Sequence, residues 1–213
     1  MVGLSPPGGR GSRAGRPAPR ALDEASQEIP AILRAVRVAR ENSVEAPDAV
    51  AHAARNLAEF TEDLGVDIAI EFNWSPLVRS LPSAVWVAEK ADHPRVGVLF
   101  DTAHYHVTRS KLADINERSV RFIKHVHLND MPGIPADLAH RDFDRVLPGQ
   151  GVLDLTGITS ALEENGYEGF FAIELFSADL WALPAAETAR RCYESPLPLC
   201  AGTAALRRIK IRA

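Results

Sequence analysis

The chain has 213 residues, 46% hydrophobic and 24% charged, which is enough apolar material for one folded domain and too much for wholesale disorder. It lacks the run of about 18 apolar residues that a membrane span requires, and its formal charge of −4 gives no general attraction to nucleic acid or anionic lipid. Cys192 and Cys200 are too few for a disulfide scaffold and lack zinc-ribbon spacing, as expected of a reduced, cytoplasmic protein.

Residues 1–20 contain five Gly, four Pro and four Arg (Arg10, Arg13, Arg16, Arg20) and no acid. They have no apolar core for a secretory signal and too much Gly and Pro for an amphipathic transit helix, so a disordered leader is expected. Its +4 leaves a formal −8 on the remainder. Ala35-Val36-Arg37-Val38-Ala39 reads as a strand preceded by a helix, or as part of one helix interrupted at Pro30. From Pro47, the spacing of Val50, Ala54, Leu57, Phe60 and Leu64 predicts a helix closed by Gly65. Val66–Phe72 is a short apolar run of strand type, Pro82 opens a second helix, and Val96–Asp101 is the next strand. Helical residues from Leu112 to Val120 lead into a strand over Phe122–Leu128. A polar stretch with Pro132, Gly133, Pro135, Pro148 and Gly149 follows. A helix around Ile158 and Leu162 stops at Gly166, Phe170–Leu175 is a strand, and a last helix runs from about Pro184 to Glu194. Such alternation predicts an α/β fold with a parallel sheet over residues 21–200, followed by a basic tail over 201–213.

Four predicted strands are apolar until their last positions and then present Glu71, Asp101, His127 and Glu174. Ligand sites of parallel α/β folds lie at the carboxyl ends of the strands, where the sheet no longer needs apolar side chains. Period-two alternation puts Ala69 on one face with Glu71, His125 with His127, and Ala172 with Glu174. A single acid at a strand end is ordinarily a helix cap or solvated. Four such residues at successive strand ends form a candidate metal site, and three carboxylates with one imidazole suit Mn²⁺, Mg²⁺, Co²⁺ or Zn²⁺. His106 and His140 are expected at the surface and His125 in a deeper layer. Phe72 and Trp74 are candidate pocket walls or ordinary packing.

The motifs Ile70-Glu71-Phe72-Asn73, Phe100-Asp101-Thr102-Ala103-His104, His125-Val126-His127-Leu128-Asn129-Asp130, Arg145-Val146-Leu147-Pro148-Gly149-Gln150-Gly151 and Ala172-Ile173-Glu174-Leu175-Phe176 occur in that order. This set resembles the xylose-isomerase-like TIM-barrel superfamily of sugar isomerases and epimerases, which also contains type IV endonucleases. The resemblance covers roughly Asp48 to Leu199. It implies that Glu71, Asp101, His127 and Glu174 bind one divalent ion, that His104 and Arg145 bind substrate, and that Glu71 and Glu174 exchange protons with it. In such a site the metal polarises the carbonyl of an α-hydroxy ketone and stabilises the enediolate. Two carboxylates on opposite sides of the carbon would then remove and return the proton. Gln150 departs from the Glu that many relatives carry, and the segment from Met131 to Phe143 lies where substrate preference could be set.

A complete (β/α)₈ barrel has about 250 residues, whereas four firm strands and one doubtful one are legible here. A partial barrel of about five parallel strands is therefore expected, lacking the first three strands of the family pattern. Its open edge should make it marginally stable alone or covered by self-association into a homo-oligomer. The Gly/Pro/Arg bias of the leader is compatible with a misplaced start or an upstream frameshift. The expected activity is a metal-dependent sugar or polyol ketone isomerase or epimerase. Two alternatives stand beside it: a non-catalytic barrel remnant, and an endonuclease acting at abasic sites. The latter chemistry wants more imidazoles and a basic groove, but Val146 and Leu147 stand where further His would be expected and the body is acidic.

Overall fold

Helices and strands alternate along the chain because each apolar run is closed by a turn signal. The computed structural model describes residues 2–5, 46–74, 77–136, 138 and 141–199. The expected strand at 35–39, His140, Cys200 and the basic tail lie outside the described residues.

Within the segment expected to be a disordered leader, Val2–Ser5 form strand β1, and residues 6–20 lie outside the described residues. Helix α1 spans Ala46–Phe60 and buries Ala51, Ala54 and Ala58. A 3₁₀ turn over Glu62–Leu64 and Gly65, at φ 64°, swing the chain into β2, Asp67–Glu71. Helix α2, Leu81–Ala91, is opened by a reciprocal Ser80–Ser83 capping box with Pro82 in the first turn. Strand β3, Val96–Asp101, is buried at every position. Asp101 then caps a short helix α3, Thr102–Val107, which sequence periodicity did not indicate. The helix expected over Leu112–Val120 is two pieces, a 3₁₀ turn at Leu112–Asp114 and α4 at Glu117–Val120, because Asn116 caps the second. Strand β4 is Ile123–Leu128, and α5 is Leu155–Glu164, capped by Asp154. Strand β5 is shorter than expected, Phe171–Ile173, and α6, Ala178–Trp181, and α7, Ala185–Glu194, follow it.

The sheet order is β1-β2-β3-β4-β5. Strands β2 to β5 are parallel, while β1 runs antiparallel to β2, with Val2 opposite Ile70 and Ser5 opposite Asp67. The expectation of about five parallel strands is thus met by four. The fifth strand is antiparallel and comes from the N-terminal segment, and it pairs the edge of β2 that would otherwise be open. Among the described residues no pairing joins β1 to β5, so the sheet is a partial barrel.

The alternation of side chains is as the sequence implies. Ile68, Ile70, Val98, Phe100, Val126 and Leu128 face the helices and share one core with Leu81, Val85, Ile158 and Leu162. Ala69 and Leu99 are buried outside that core. Phe100 sits at its centre, fully buried, with its ring against Phe72 at 5.8 Å and Tyr105 at 5.5 Å. Phe100→Ala is therefore expected to lower unfolding free energy by about 3–5 kcal/mol in urea titration, through lost burial and a residual cavity. Phe170→Ala, at a side chain 70% exposed, should change it little. Equal losses at the two positions would contradict this assignment of the core.

Candidate metal centre

Strand register decides which polar side chains meet. Glu71 is level with Leu99, Asp101 with His127, and His127 with Ala172. Asp101 and His127 are therefore side by side, while Glu71 sits two residue positions lower and Glu174 two residue positions higher. This stagger is that of tilted strands in a barrel wall, where residues offset in register reach the same height. The pairing of β3 with β4 shifts register between Val98 and Leu99, from Val98 opposite Ile123 to Leu99 opposite His125. Without that shift Asp101 would lie beside the core residue Val126, and His127 would be displaced from the site. Gly97 permits the close approach that accompanies it: a Cβ there would collide with the Phe122 carbonyl and the Lys124 side chain.

The four strand-end residues converge. One ligand atom from each of Glu71, Asp101, His127 and Glu174 lies within 4.8 Å of all the others. His127 Nδ1 is 3.9 Å from Glu71 Oε1, 3.8 Å from Asp101 Oδ2 and 3.3 Å from Glu174 Oε2. This nitrogen is buried and not aligned for a hydrogen bond with any of them. An imidazole nitrogen aimed among three carboxylates is suited to ligation, and this donor set fits a hard or borderline divalent ion.

Electrostatics reflect the crowding. Burial raises the Glu71 carboxyl above its ordinary value, and the charges of Asp101 and Glu174 add to the effect. For His127, burial works against the charged form, but Glu174, Asp101 and Glu71 outweigh it and raise the imidazole above 6.5. Glu174 is held down to about 2, first by His127 and then by Arg145.

Arg145 is a buried cation in contact with the cluster. It is 4% exposed, and its Nη1 lies 2.6 Å from Glu174 Oε2 and 3.5 Å from Asp101 Oδ2. Its Nη2 donates to Asp142 Oδ1 at 3.2 Å and is 3.1 Å from His104 Nε2. A guanidinium can only donate, so His104 accepts at Nε2 and is the neutral Nδ1–H tautomer. Burial, which lowers the His104 pKa, acts in the same direction. His104 Nε2 is also 3.8 Å from Glu71 Oε1, and the Trp74 ring packs edge-on against the imidazole at 5.1 Å.

All six sequence-predicted site residues, Glu71, Asp101, His104, His127, Arg145 and Glu174, thus belong to one contact network. His125 packs against His127 at 5.2 Å, one layer below. Phe72 is core, so only Trp74 of the two candidate walls flanks the site. His106, expected at the surface, is half-buried and lines an adjoining cavity of about 370 Å³ with Trp74, Arg79 and Arg109.

Three supporting features involve residues to which the sequence reading gave no role. Asn129 donates through Nδ2 to Asp101 Oδ2 at 2.9 Å, and Thr102 Oγ1 donates to the Asn129 carbonyl at 2.7 Å, which orients a carboxylate of the candidate site from a fully buried position. Asp142 lies three residues before Arg145, and only the 3₁₀ turn over Asp142–Asp144 brings it back onto the guanidinium. Phe143, Phe176 and Trp181 form an aromatic cluster beside Arg145, with Trp181 edge-on to both phenylalanines, and the guanidinium carbon lies 5.8 Å from the centre of the Phe176 ring.

The sequence pattern of the xylose isomerase-like TIM barrel family matches residues 24–195. The chain is 33% identical over 141 residues to an inosose isomerase of Bacillus licheniformis, which covers 65% of this chain and 50% of that protein. It is 27% identical over 128 residues to an inosose dehydratase of Lacticaseibacillus casei, covering 55% and 43% respectively. Among solved structures, the IolI protein with a bound zinc atom superposes with a TM-score of 0.69 at 27% identity, over 74% of this chain and 57% of that one. The chain spans about half the length of the curated relatives it matches.

A metal ion bound at His127 Nδ1 would have to displace a proton that the surrounding carboxylates favour. Mn²⁺ affinity, measured by equilibrium dialysis between about pH 8 and about pH 5, should begin to fall above the ordinary imidazole value of 6.5 rather than below it. In His127→Ala the residual, weaker binding should lose that inflection. An unchanged inflection would remove His127 from the ligand set.

Proposed function

This chain belongs to the xylose isomerase-like TIM barrel family, and from that premise we propose that it is a divalent-metal-dependent isomerase or epimerase of sugars or polyol ketones. The observation that carries the reading is the convergence of Glu71, Asp101, His127 and Glu174 within 4.8 Å, at the carboxyl ends of four adjacent parallel strands. These four residues would hold the ion, which supplies Lewis-acid polarisation of a carbonyl. The protein's own residues do the rest. Glu71 and Glu174 come from opposite ends of the four-strand set, so a substrate carbon between them meets one carboxyl group on each side. One carboxylate removes the proton next to the carbonyl and the other carboxyl group returns it to the opposite face or to the neighbouring carbon. Arg145 offers several fixed donors to a substrate hydroxyl, and His104, neutral at Nε2, accepts one hydrogen bond. The Glu71 side chain is 5% exposed and that of Glu174 23% exposed, so a proton carried by Glu174 can exchange with solvent.

A dehydratase is the second reading, because inosose dehydratases are among the relatives. It begins with the same proton removal and then expels a β-hydroxyl as water. Three features speak against nucleic acid as substrate: the acidic body, the single imidazole in the ligand set, and Val146 and Leu147 beside Arg145.

Turnover of an inosose or ketose in D₂O by the Mn²⁺-loaded protein should place deuterium on the isomerised or epimerised carbon. Loss of water from the product would select the dehydratase reading, and conversion without solvent exchange would favour hydride transfer. Glu174→Gln should lower kcat by about a thousandfold or more while leaving the fold intact, whereas an exposed change such as Leu138→Ala should not. Retained turnover in Glu174→Gln would exclude its carboxylate from the proton transfer.

A further inference from the structure

Asp130 lies two residues beyond the end of β4 and is 1% exposed, yet it is no part of the metal cluster. Its carboxylate is turned toward the chain segment that follows Arg145. Oδ2 accepts from the backbone N–H groups of Gly149 and Gly151, both at 3.0 Å, and Oδ1 accepts from those of Met131 at 2.9 Å and Leu153 at 3.0 Å. The main chain of Asp130 also forms an antiparallel bridge with Val146, donating to its carbonyl at 3.0 Å and accepting from its N–H at 2.9 Å. One residue thus holds both ends of the 146–153 turn. Gly151 passes so close that a Cβ there would collide with the Asp130 carboxylate and the Met131 carbonyl. Four charge-assisted hydrogen bonds to backbone donors compensate a buried carboxylate and make its position stiff. Arg145 is the residue immediately before this clamp.

We propose that Asp130 is a positioning residue that acts through Arg145: by fixing the turn from Val146 to Leu153 it holds the guanidinium against Glu174 and Asp101. The inference deepens the proposed function, since it rests on Arg145 belonging to that site. It excludes a simpler arrangement, in which Glu174 and Asp142 alone keep Arg145 in place and Asp130 does no more than stabilise a loop. An asparagine at 130 would keep the shape but turn an amide donor toward two of the four N–H groups. The loop would then loosen and Arg145 would withdraw.

The test reads Mn²⁺ affinity and needs no turnover, so it stands whether or not a polyol ketone is converted. Arg145 occupies carboxylate oxygens that an added cation would use. Arg145→Gln should therefore tighten Mn²⁺ binding by about threefold or more. If Asp130 acts through Arg145, Asp130→Asn should also tighten it, and the double variant should match Arg145→Gln alone. Loss of the Asp130 charge, or general loosening of the fold, would do the opposite and weaken binding. Gly151→Ala keeps that charge while pushing a methyl group into the clamp, so it should tighten Mn²⁺ binding as well, and it serves if Asp130→Asn does not fold. Weaker binding in the Asp130→Asn and Gly151→Ala variants, additive effects in the double variant, or no change in Arg145→Gln would overturn the proposal.

Discussion

Three carboxylates held within 4.8 Å of one another at the end of an apolar sheet repel each other strongly, and the surroundings of this site follow from that constraint. Water screens them little on the buried side, because Asp101 is fully buried and the Glu71 side chain nearly so, while the Glu174 side chain is 23% exposed. Compensation comes instead from fixed groups: the Arg145 guanidinium on Glu174 and beside Asp101, the imidazole of His127 in the middle, and the Asn129 amide on Asp101. The resulting proton inventory is uneven. Burial favours the neutral form of Glu71, while His127 and Arg145 keep Glu174 ionised. A divalent ion placed among these donors would relieve the same repulsion more completely, which is the physical reason the cluster suits one.

Keeping such a cluster together requires a stiff frame, and the sheet supplies it in two ways. On the helix side, Phe100, Val98, Val126 and Leu128 tie β3 and β4 into the main core. On the opposite side, the same strands alternate toward Leu99, His125 and the site. The register shift between Val98 and Leu99 makes these two requirements compatible, since it brings His127 beside Asp101 without pulling Val126 out of the core. Lys124, in the shifted stretch, is anchored through Nζ to the Pro94 carbonyl at 2.9 Å and lies 3.5 Å from Asp67.

The loops beyond the strand ends complete the site by a different principle. They have little regular structure and are held by buried polar groups: Thr102 and Asn129 between the β3 and β4 ends, and Asp130 between the β4 end and the turn after Arg145. Thr102 and Asp130 bond to backbone partners and the Asn129 amide donates to the Asp101 carboxylate, so each imposes geometry where apolar packing has little directional force. The aromatic cluster of Phe143, Phe176 and Trp181 borders this arrangement, with Phe143 and Trp181 each 59% exposed. It gives Arg145 an apolar neighbour, with the guanidinium carbon 5.8 Å from the centre of the Phe176 ring.

Much of this was legible in the linear sequence, for reasons that can be named. Apolar runs ending in Glu71, Asp101, His127 and Glu174 mark strands and their carboxyl ends, and period two settles which side chains share a face. Helix stops at Gly65 and Gly166 were readable because both glycines take positive φ. The segment of Val2–Ser5 was not, because a Gly- and Pro-rich stretch carries no period and strand pairing is a long-range event. The break at Asn116 was missed because a capping side chain overrides an apolar period only when local geometry permits. Asp142 looks like an ordinary loop polar in sequence, and Asn129 and Asp130 stand in a family-like motif that by itself gives them no role. Their roles depend on distances across 3, 28 and up to 23 positions of chain, which only the folded register and loop closure set. The sequence by itself thus determined which chemistry reaches the strand ends. The tertiary structure decided that Asp101 stands beside His127, that Arg145 lies on Glu174, and that His104 is neutral, because each depends on inter-strand register and burial rather than on local pattern.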